Sequence, residues 1–148
     1  MEAGAALDPD NPVVKWCVAG MRAEGEGRLD EARALFNQAW AARQDDLEAC
    51  IAAHYVARHQ TSPEETLRWN QAALDHAAAV GDERVQGFYA SLYLNLGYAH
   101  EQLGHAAEAR RCYALAEAYA ADVPGGGYGA RLRGGLEAAR RRMDAAAG

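Results

Sequence analysis

Apolar and small side chains recur every three to four residues along most of the chain, which is the spacing of one face of an α-helix. Start signals divide this pattern into segments: Asn11-Pro12 is typical of a helix start, and Ser62-Pro63 with Glu65 matches a capping box. No strand-like alternation occurs. The sequence therefore predicts an all-α fold, with helices over about residues 12–25, 29–43, 46–59, 63–80, 82–103 and 106–121.

The chain also repeats itself. Six positions match positions 77 residues later, aromatic to aromatic and small to small: Trp16/Tyr93, Gly20/Gly97, Gly27/Gly104, Ala32/Ala109, Phe36/Tyr113 and Ala39/Ala116. A weaker copy begins 34 residues after the first, at Cys50, His54, Thr61, Thr66, Asn70 and Ala73. Three repeat units are predicted, over about residues 12–44, 45–80 and 82–122. The next offset, 43 residues, is nine longer, so we expect the fourth and fifth helices each to gain about a turn.

Residues 16–39 and 93–116 resemble the tetratricopeptide repeat (TPR) family, whose unit is a helix-turn-helix with an aromatic, Leu-Gly, Gly, Glu-Ala, aromatic, Ala signature. The resemblance implies an α-solenoid of three helical hairpins stacked in a right-handed superhelix. In this arrangement Gly97 lets the second helix approach the first, Tyr113 fills the remaining gap, and Gly104 ends the first helix in a left-handed conformation.

A terminal helix is predicted after the third unit. The segment Pro124–Gly129 lacks the Lys and Ser/Thr of a phosphate-binding loop and follows no strand, so we interpret it as a flexible break. Beyond it, one apolar helical face predicts a capping helix over about residues 128–146, which completes a single domain over residues 1–148. A basic RNA-binding patch is the alternative interpretation of the arginines in this helix. The apolar face consists of Tyr128, Leu132, Leu136, Ala139 and Met143.

Charge and composition restrict the class of function. The formal net charge of −6 opposes nucleic-acid binding, and no apolar run is long enough to cross a bilayer. The first twelve residues lack a basic start and an apolar core, so we expect a cytoplasmic protein without membrane contact. Three cysteines without CxxC spacing indicate reduced thiols used as small apolar residues. The Ala and Arg excess is typical of a GC-rich bacterial genome.

The TPR resemblance implies a concave groove that is lined by the first helix of each unit and binds a peptide or an amphipathic helix of another protein. The Lys and Asn clamp of chaperone-binding members is absent from these positions, and Tyr55 and Tyr98 are the expected aromatic anchors. Two alternatives remain, that the C-terminal helix fills the groove or that a second copy does so in a homodimer. The groove positions are Cys17, Met21, Glu24, Ile51, Tyr55, Arg58, Leu94, Tyr98 and Glu101.

The middle unit departs from the repeat pattern, with His54, Thr66 and Asn70 in place of small and aromatic residues. We expect these three side chains to hydrogen-bond one another, since leaving them buried and unpaired would cost about 1–3 kcal/mol each. With Cys50 one turn earlier, a Cys-His-Asn catalytic set or a small-molecule sensor is the rival hypothesis. The histidines show no metal-ligand spacing. The TPR resemblance thus implies a non-catalytic protein-interaction module that acts as an adaptor or scaffold, and we expect it to need no metal or cofactor.

Overall fold

The computed structural model describes residues 7–147, which form helices and no strand. The prediction of a cytoplasmic protein depends on the composition of residues 1–12, and the first six of these lie outside the described residues. The all-α prediction is confirmed. Within the described residues no helix is long and apolar enough to span a membrane. The helices are α1 (Pro12–Gly25), α2 (Leu29–Ala42), α3 (Asp46–Val56), α4 (Pro63–Val80), α5 (Glu83–Gln86), α6 (Tyr89–Gln102), α7 (Ala106–Ala120) and α8 (Gly127–Ala147).

The described residues divide into two compact units. The N-terminal unit, residues 7–81, contains α1 to α4, and the C-terminal unit, residues 82–147, contains α5 to α8. In each unit consecutive helices pack as pairs: α1 with α2, α3 with α4, and α6 with α7. The right-handed superhelix implied by the TPR resemblance remains a prediction.

Side-chain caps set the starts of α1, α3, α4 and α5. The Asn11 Oδ1 accepts hydrogen bonds from the Val13 and Val14 amides at 2.8 and 3.2 Å. At the start of α4 the Ser62 hydroxyl accepts from the Glu65 amide at 3.1 Å. These bonds satisfy amides that have no partner inside the helix, which is why the sequence located both starts correctly.

Two predicted helices differ from the structure. The fifth is interrupted at Gly87 and Phe88, so that a short α5 precedes α6. Val85 of α5 and Phe88 within the break are both fully buried. Gly87 has a low helix propensity, and burial of the two apolar side chains favours the interrupted path. The third predicted helix changes to a 3-10 turn over Ala57–His59. The expected lengthening of the fourth helix is confirmed, since α4 has 18 residues against 14 in α2.

Close approach of paired helices requires two glycines. A Cβ atom on Gly20 would lie 2.6 Å from Cδ1 of Phe36 and closer still to Cε1. A Cβ atom on Gly97 would lie 2.8 Å from Cδ1 of Tyr113. The packing role predicted for Gly97 is therefore confirmed, and Gly104, with φ of 77°, adopts the predicted left-handed conformation.

Helix α8 buries the predicted apolar face within the C-terminal unit. Leu132 and Leu136 pack in one cluster with Ala90 of α6 and Ala116 of α7. Ala139 and Met143 of α8 pack in a second cluster with Ala109 and Tyr113 of α7. Arg133 holds the start of α8 by donating hydrogen bonds to the backbone carbonyls of Ala120 and Val123. Helix α8 is thus an integral layer of this unit.

Candidate functional site

Three predicted groove residues of the N-terminal unit are inaccessible. Cys17, Ile51 and Tyr55 are all buried, and Tyr55 is only 2% exposed. The Tyr55 ring stacks on Phe36 with centroids 5.3 Å apart. Helix α3 contacts both α1 and α2, so the surface that the sequence assigned to a partner is interior packing. The prediction that these side chains line an open groove is wrong, and Tyr55 cannot act as an anchor without a rearrangement.

The other groove positions in the N-terminal unit bind one another. Arg58 Nη2 donates to Glu24 Oε1 at 2.7 Å, and His59 Nε2 lies 2.6 Å from Glu24 Oε2. Met21, one turn before Glu24, is half-buried. Glu24 and Arg58 therefore link α1 to the turn after α3, and their charges are compensated within the unit.

In the C-terminal unit α8 packs against Leu94 and pairs with Glu101, whereas Tyr98 stays exposed. A Cβ atom on Gly135 would lie 3.0 Å from Leu94 Cδ2, so α8 lies directly against Leu94. Glu101 accepts hydrogen bonds from Tyr113 Oη at 2.6 Å and from Arg142 Nε at 2.9 Å. Tyr98 is 48% exposed and has the Arg142 guanidinium 5.2 Å from its ring centroid. Two of the three predicted groove positions of this unit, Leu94 and Glu101, thus contact α8, and Tyr98 remains accessible beside Arg142.

Both units use the same ionic contact between helices. Glu24 and Glu101 are 77 residues apart, and each lies in the last turn of the first helix of a hairpin. Each glutamate binds an arginine from beyond the hairpin, Arg58 and Arg142 respectively. Hydrogen bonds from Arg142 and Tyr113 outweigh partial burial and lower the pKa of Glu101. The sequence repeat contained Glu24 and Glu101, but their arginine partners could not be recognised without the structure.

The side chains of Thr66 and Asn70 in the middle unit donate hydrogen bonds to the backbone of α4 and not to each other. Asn70 Nδ2 donates to the Thr66 backbone carbonyl at 3.0 Å, and the Thr66 hydroxyl donates to the Ser62 carbonyl at 3.1 Å. A carbonyl one turn earlier is within reach of any short polar side chain on a helix, so each residue is satisfied within α4. The predicted hydrogen bond between these two side chains is corrected accordingly.

The electrostatics of Cys50 and His54 oppose nucleophilic chemistry. Burial raises the pKa of the Cys50 thiol to about 12. Burial is also the main reason why the pKa of His54 is lowered to about 3. A nucleophilic cysteine needs a substantial thiolate population near neutral pH, usually stabilised by a histidine cation or another positive group. Here burial favours the neutral form of both groups, which argues against the Cys-His-Asn hypothesis.

His54 makes stability depend on pH. In the unfolded chain it takes up a proton near its ordinary pKa of 6.5, whereas the folded protein excludes that proton down to about pH 3. Its contribution is therefore lost as the pH falls below 6.5, by about 1 kcal/mol per pH unit. We expect His54→Gln to flatten this loss between pH 6.5 and 4, as measured by urea unfolding at several pH values. Equal slopes for variant and wild type would contradict the assignment.

An aromatic surface lies on the N-terminal unit, outside the positions that the sequence predicts as a site. Trp40 at the end of α2 and Trp69 of α4 meet edge to face with centroids 4.9 Å apart. Both rings are half-buried, and the Arg43 guanidinium lies 3.7 Å from the Trp40 centroid. His76 extends the surface, 6.0 Å from Trp40. We call these four residues the Trp40–Trp69 patch. The only signal in the sequence was that two tryptophans fell outside the repeat signature.

A cleft of about 370 Å³ adjoins this patch, and Arg43 belongs to both. Its walls come from the start of α1 and the connection between α2 and α3. Glu48 stands in it with its carboxylate bound by Asn11 Nδ2 at 2.8 Å. The residues lining the cleft are Pro12, Val13, Ala41, Ala42, Arg43, Gln44 and Glu48.

Within residues 7–147 no three or more His, Cys, Asp or Glu residues form a group that could hold a metal ion. The three cysteines are buried free thiols. No protein-family model, curated protein or solved structure matches the chain. The TPR resemblance accordingly rests on the repeat residues of the sequence alone.

Proposed function

We propose that this protein is a non-catalytic protein-interaction module with a TPR-like hairpin scaffold, and that it recognises its partner through the Trp40–Trp69 patch. The observation that carries this proposal is the contact between two accessible tryptophans beside a cationic side chain. Binding energy at protein interfaces is concentrated in Trp, Tyr and Arg residues. Packing within the unit leaves part of both rings in solvent, where their apolar surface gains from a partner.

The partner that fits is a peptide or amphipathic helix with an apolar anchor side chain. The adjoining cleft of about 370 Å³ is large enough for such an anchor. Arg43 lies between the ring of Trp40 and the cleft, where its cation favours an acidic residue next to the anchor. This location replaces the concave groove, because most groove positions are buried, paired with one another or in contact with α8, with Tyr98 as the exposed exception.

Helix α8 supports the scaffold half of the proposal. Its outward positions are small or charged, and Arg141 pairs with Glu137 one turn earlier at 3.6 Å. A terminal helix with one apolar and one solvated side is what a helical repeat array needs at its end. We therefore assign α8 the role of a cap, and we place the adaptor in the cytoplasm as the sequence predicts.

A capture experiment tests the recognition surface. Tag-free protein immobilised through its amino groups is exposed to lysate of its native host, and retained proteins are quantified by mass spectrometry. We expect a Trp40→Ala/Trp69→Ala variant to lose a protein that the wild type retains, because both aromatic anchors are removed. Circular dichroism at the assay temperature checks that the variant is folded.

Leu29 provides the matched control, since it is a large apolar side chain that is 53% exposed and takes no part in the patch. The Leu29→Ala variant should retain the partner as the wild type does. Identical protein lists for all three forms would contradict the proposal. A protein mass that rises with concentration, and does so only when both tryptophans are present, would instead assign the patch to a second copy of the chain.

A further inference from the structure

The turn between α6 and α7 brings two histidines side by side. His105 donates its backbone amide to the His100 carbonyl at 2.9 Å, and Gly104 donates to the Glu101 carbonyl at 3.0 Å. With Gly104 at φ of 77°, these bonds form a Schellman motif. This motif brings the side chain two residues beyond the helix cap against the side chain of the preceding turn. Here those residues are His105 and His100.

The fold does not itself require histidine at these places. The first hairpin builds the same turn, with Gly27 at φ of 78° and the Arg28 amide donating to the Ala23 carbonyl at 2.9 Å. Its two equivalent residues, Ala23 and Arg28, have no imidazole. Contacts at this point of a Schellman motif are commonly apolar. Ending the helix therefore does not explain why both residues are histidines.

The two Nδ1 atoms of this pair lie 3.1 Å apart at an exposed site. Nitrogen ligands about 2.0–2.1 Å from a zinc ion lie about 2.9 Å apart at a right angle and about 3.4 Å apart in a tetrahedron. The observed separation falls between these values. We propose that His100 and His105 form a bidentate site for a divalent transition-metal ion that prefers imidazole, such as Zn²⁺, with Nδ1 of each ring as the ligand.

The site leaves coordination positions open. No group of three or more metal-binding side chains occurs in the described part of the chain, so the remaining positions take water or an external ligand. Glu108, on the first turn of α7, is engaged by Arg111 at 3.0 Å.

The electrostatic surroundings are compatible with metal binding. Burial, followed by the charge of His105, lowers the pKa of His100, while Glu108 acts in the opposite direction and Arg111 in the same one. This shift favours the neutral imidazole of His100, which is the form that binds a metal ion. In the metal-bound state the proton between the two Nδ1 atoms moves to Nε2 of the ring that donated it. Each neutral ring then carries its proton on Nε2.

Calorimetric titration of the tag-free full chain with zinc chloride, after treatment with a chelator, tests the proposal. We expect saturable binding of one ion per chain for the wild type and loss of that binding in His100→Gln and in His105→Gln. The matched control is His59→Gln, which changes a histidine outside the patch whose Nε2 lies 2.6 Å from Glu24 Oε2 and which should bind as the wild type does. Circular dichroism confirms that each variant is folded.

Imidazole nitrogen chemical shifts of the wild type give an independent measurement. Zinc should shift Nδ1 of both His100 and His105 and leave the Nε2 atoms protonated. The proposal is overturned if the wild type binds no zinc saturably, if either His100→Gln or His105→Gln retains full binding, if His59→Gln loses it, or if the shifts place the metal on Nε2.

Discussion

Replacing Gly20 with alanine is expected to lower the free energy of unfolding by about 1–3 kcal/mol, although alanine is the better helix former. The added methyl group would overlap the Phe36 ring, 2.6 Å from Cδ1. Phe36 is buried and stacks on Tyr55 and His59, so the ring has little freedom to move away. Urea unfolding followed by circular dichroism measures the loss.

Gly25 on the same helix is the matched control, because a Cβ atom there would meet nothing within 4 Å. The Gly25→Ala variant should be as stable as the wild type or more stable, by up to about 1 kcal/mol. A second test combines Gly20→Ala with Phe36→Leu, and the double variant should lose less than the two single losses added together. Strict additivity would show that the Phe36 ring is not the atom group that excludes the methyl.

In the C-terminal unit, Leu136→Ala is expected to cost about 2–5 kcal/mol, the range for removing a buried leucine side chain. Leu136 packs with Ala90, Ala116 and Leu132, and its removal leaves a cavity between α8 and the α6–α7 pair. Helix α8 contains the adjacent glycines Gly134 and Gly135, which weaken its intrinsic helicity. Its stability therefore depends on this packing.

Urea unfolding again measures the change, and hydrogen exchange should show faster exchange of the α8 amides. The next residue supplies the control: Glu137 is exposed and pairs with the exposed Arg141, so Glu137→Ala should change stability by less than about 0.5 kcal/mol. A cost below about 1 kcal/mol for Leu136→Ala, or unchanged α8 exchange, would mean that α8 does not pack as described.

Local physics explains which sequence predictions succeed. The starts of α1 and α4 depend on Asn11 and Ser62, whose side chains bond amides two or three residues away. The left-handed turn at Gly104 also involves only neighbouring residues. The close approach at Gly97 was recognisable because its partner Tyr113 recurs at the same repeat position as Phe36. Each of these features has its determinants within one hairpin.

The accessible surface depends on helices that follow later in the chain. Tyr55 looked like an anchor because it shares a face with Ile51, yet α3 turns that face toward α1 and α2. The sequence likewise places Leu94 in the groove, and in the structure it packs against α8. A periodic pattern states which side chains share a face and leaves open which neighbour covers that face.

Helix type, the starts of α1 and α4 and the packing glycines of this protein were thus determined by its sequence, because caps, turns and repeated residue pairs act over short separations. The break after α5, the partners of Glu24 and Glu101, the burial of His54 and the contact of Trp40 with Trp69 were decided by the tertiary structure. Each of these involves groups brought together by the packing of separate helices. Their energies depend on burial and on distances that no local pattern specifies.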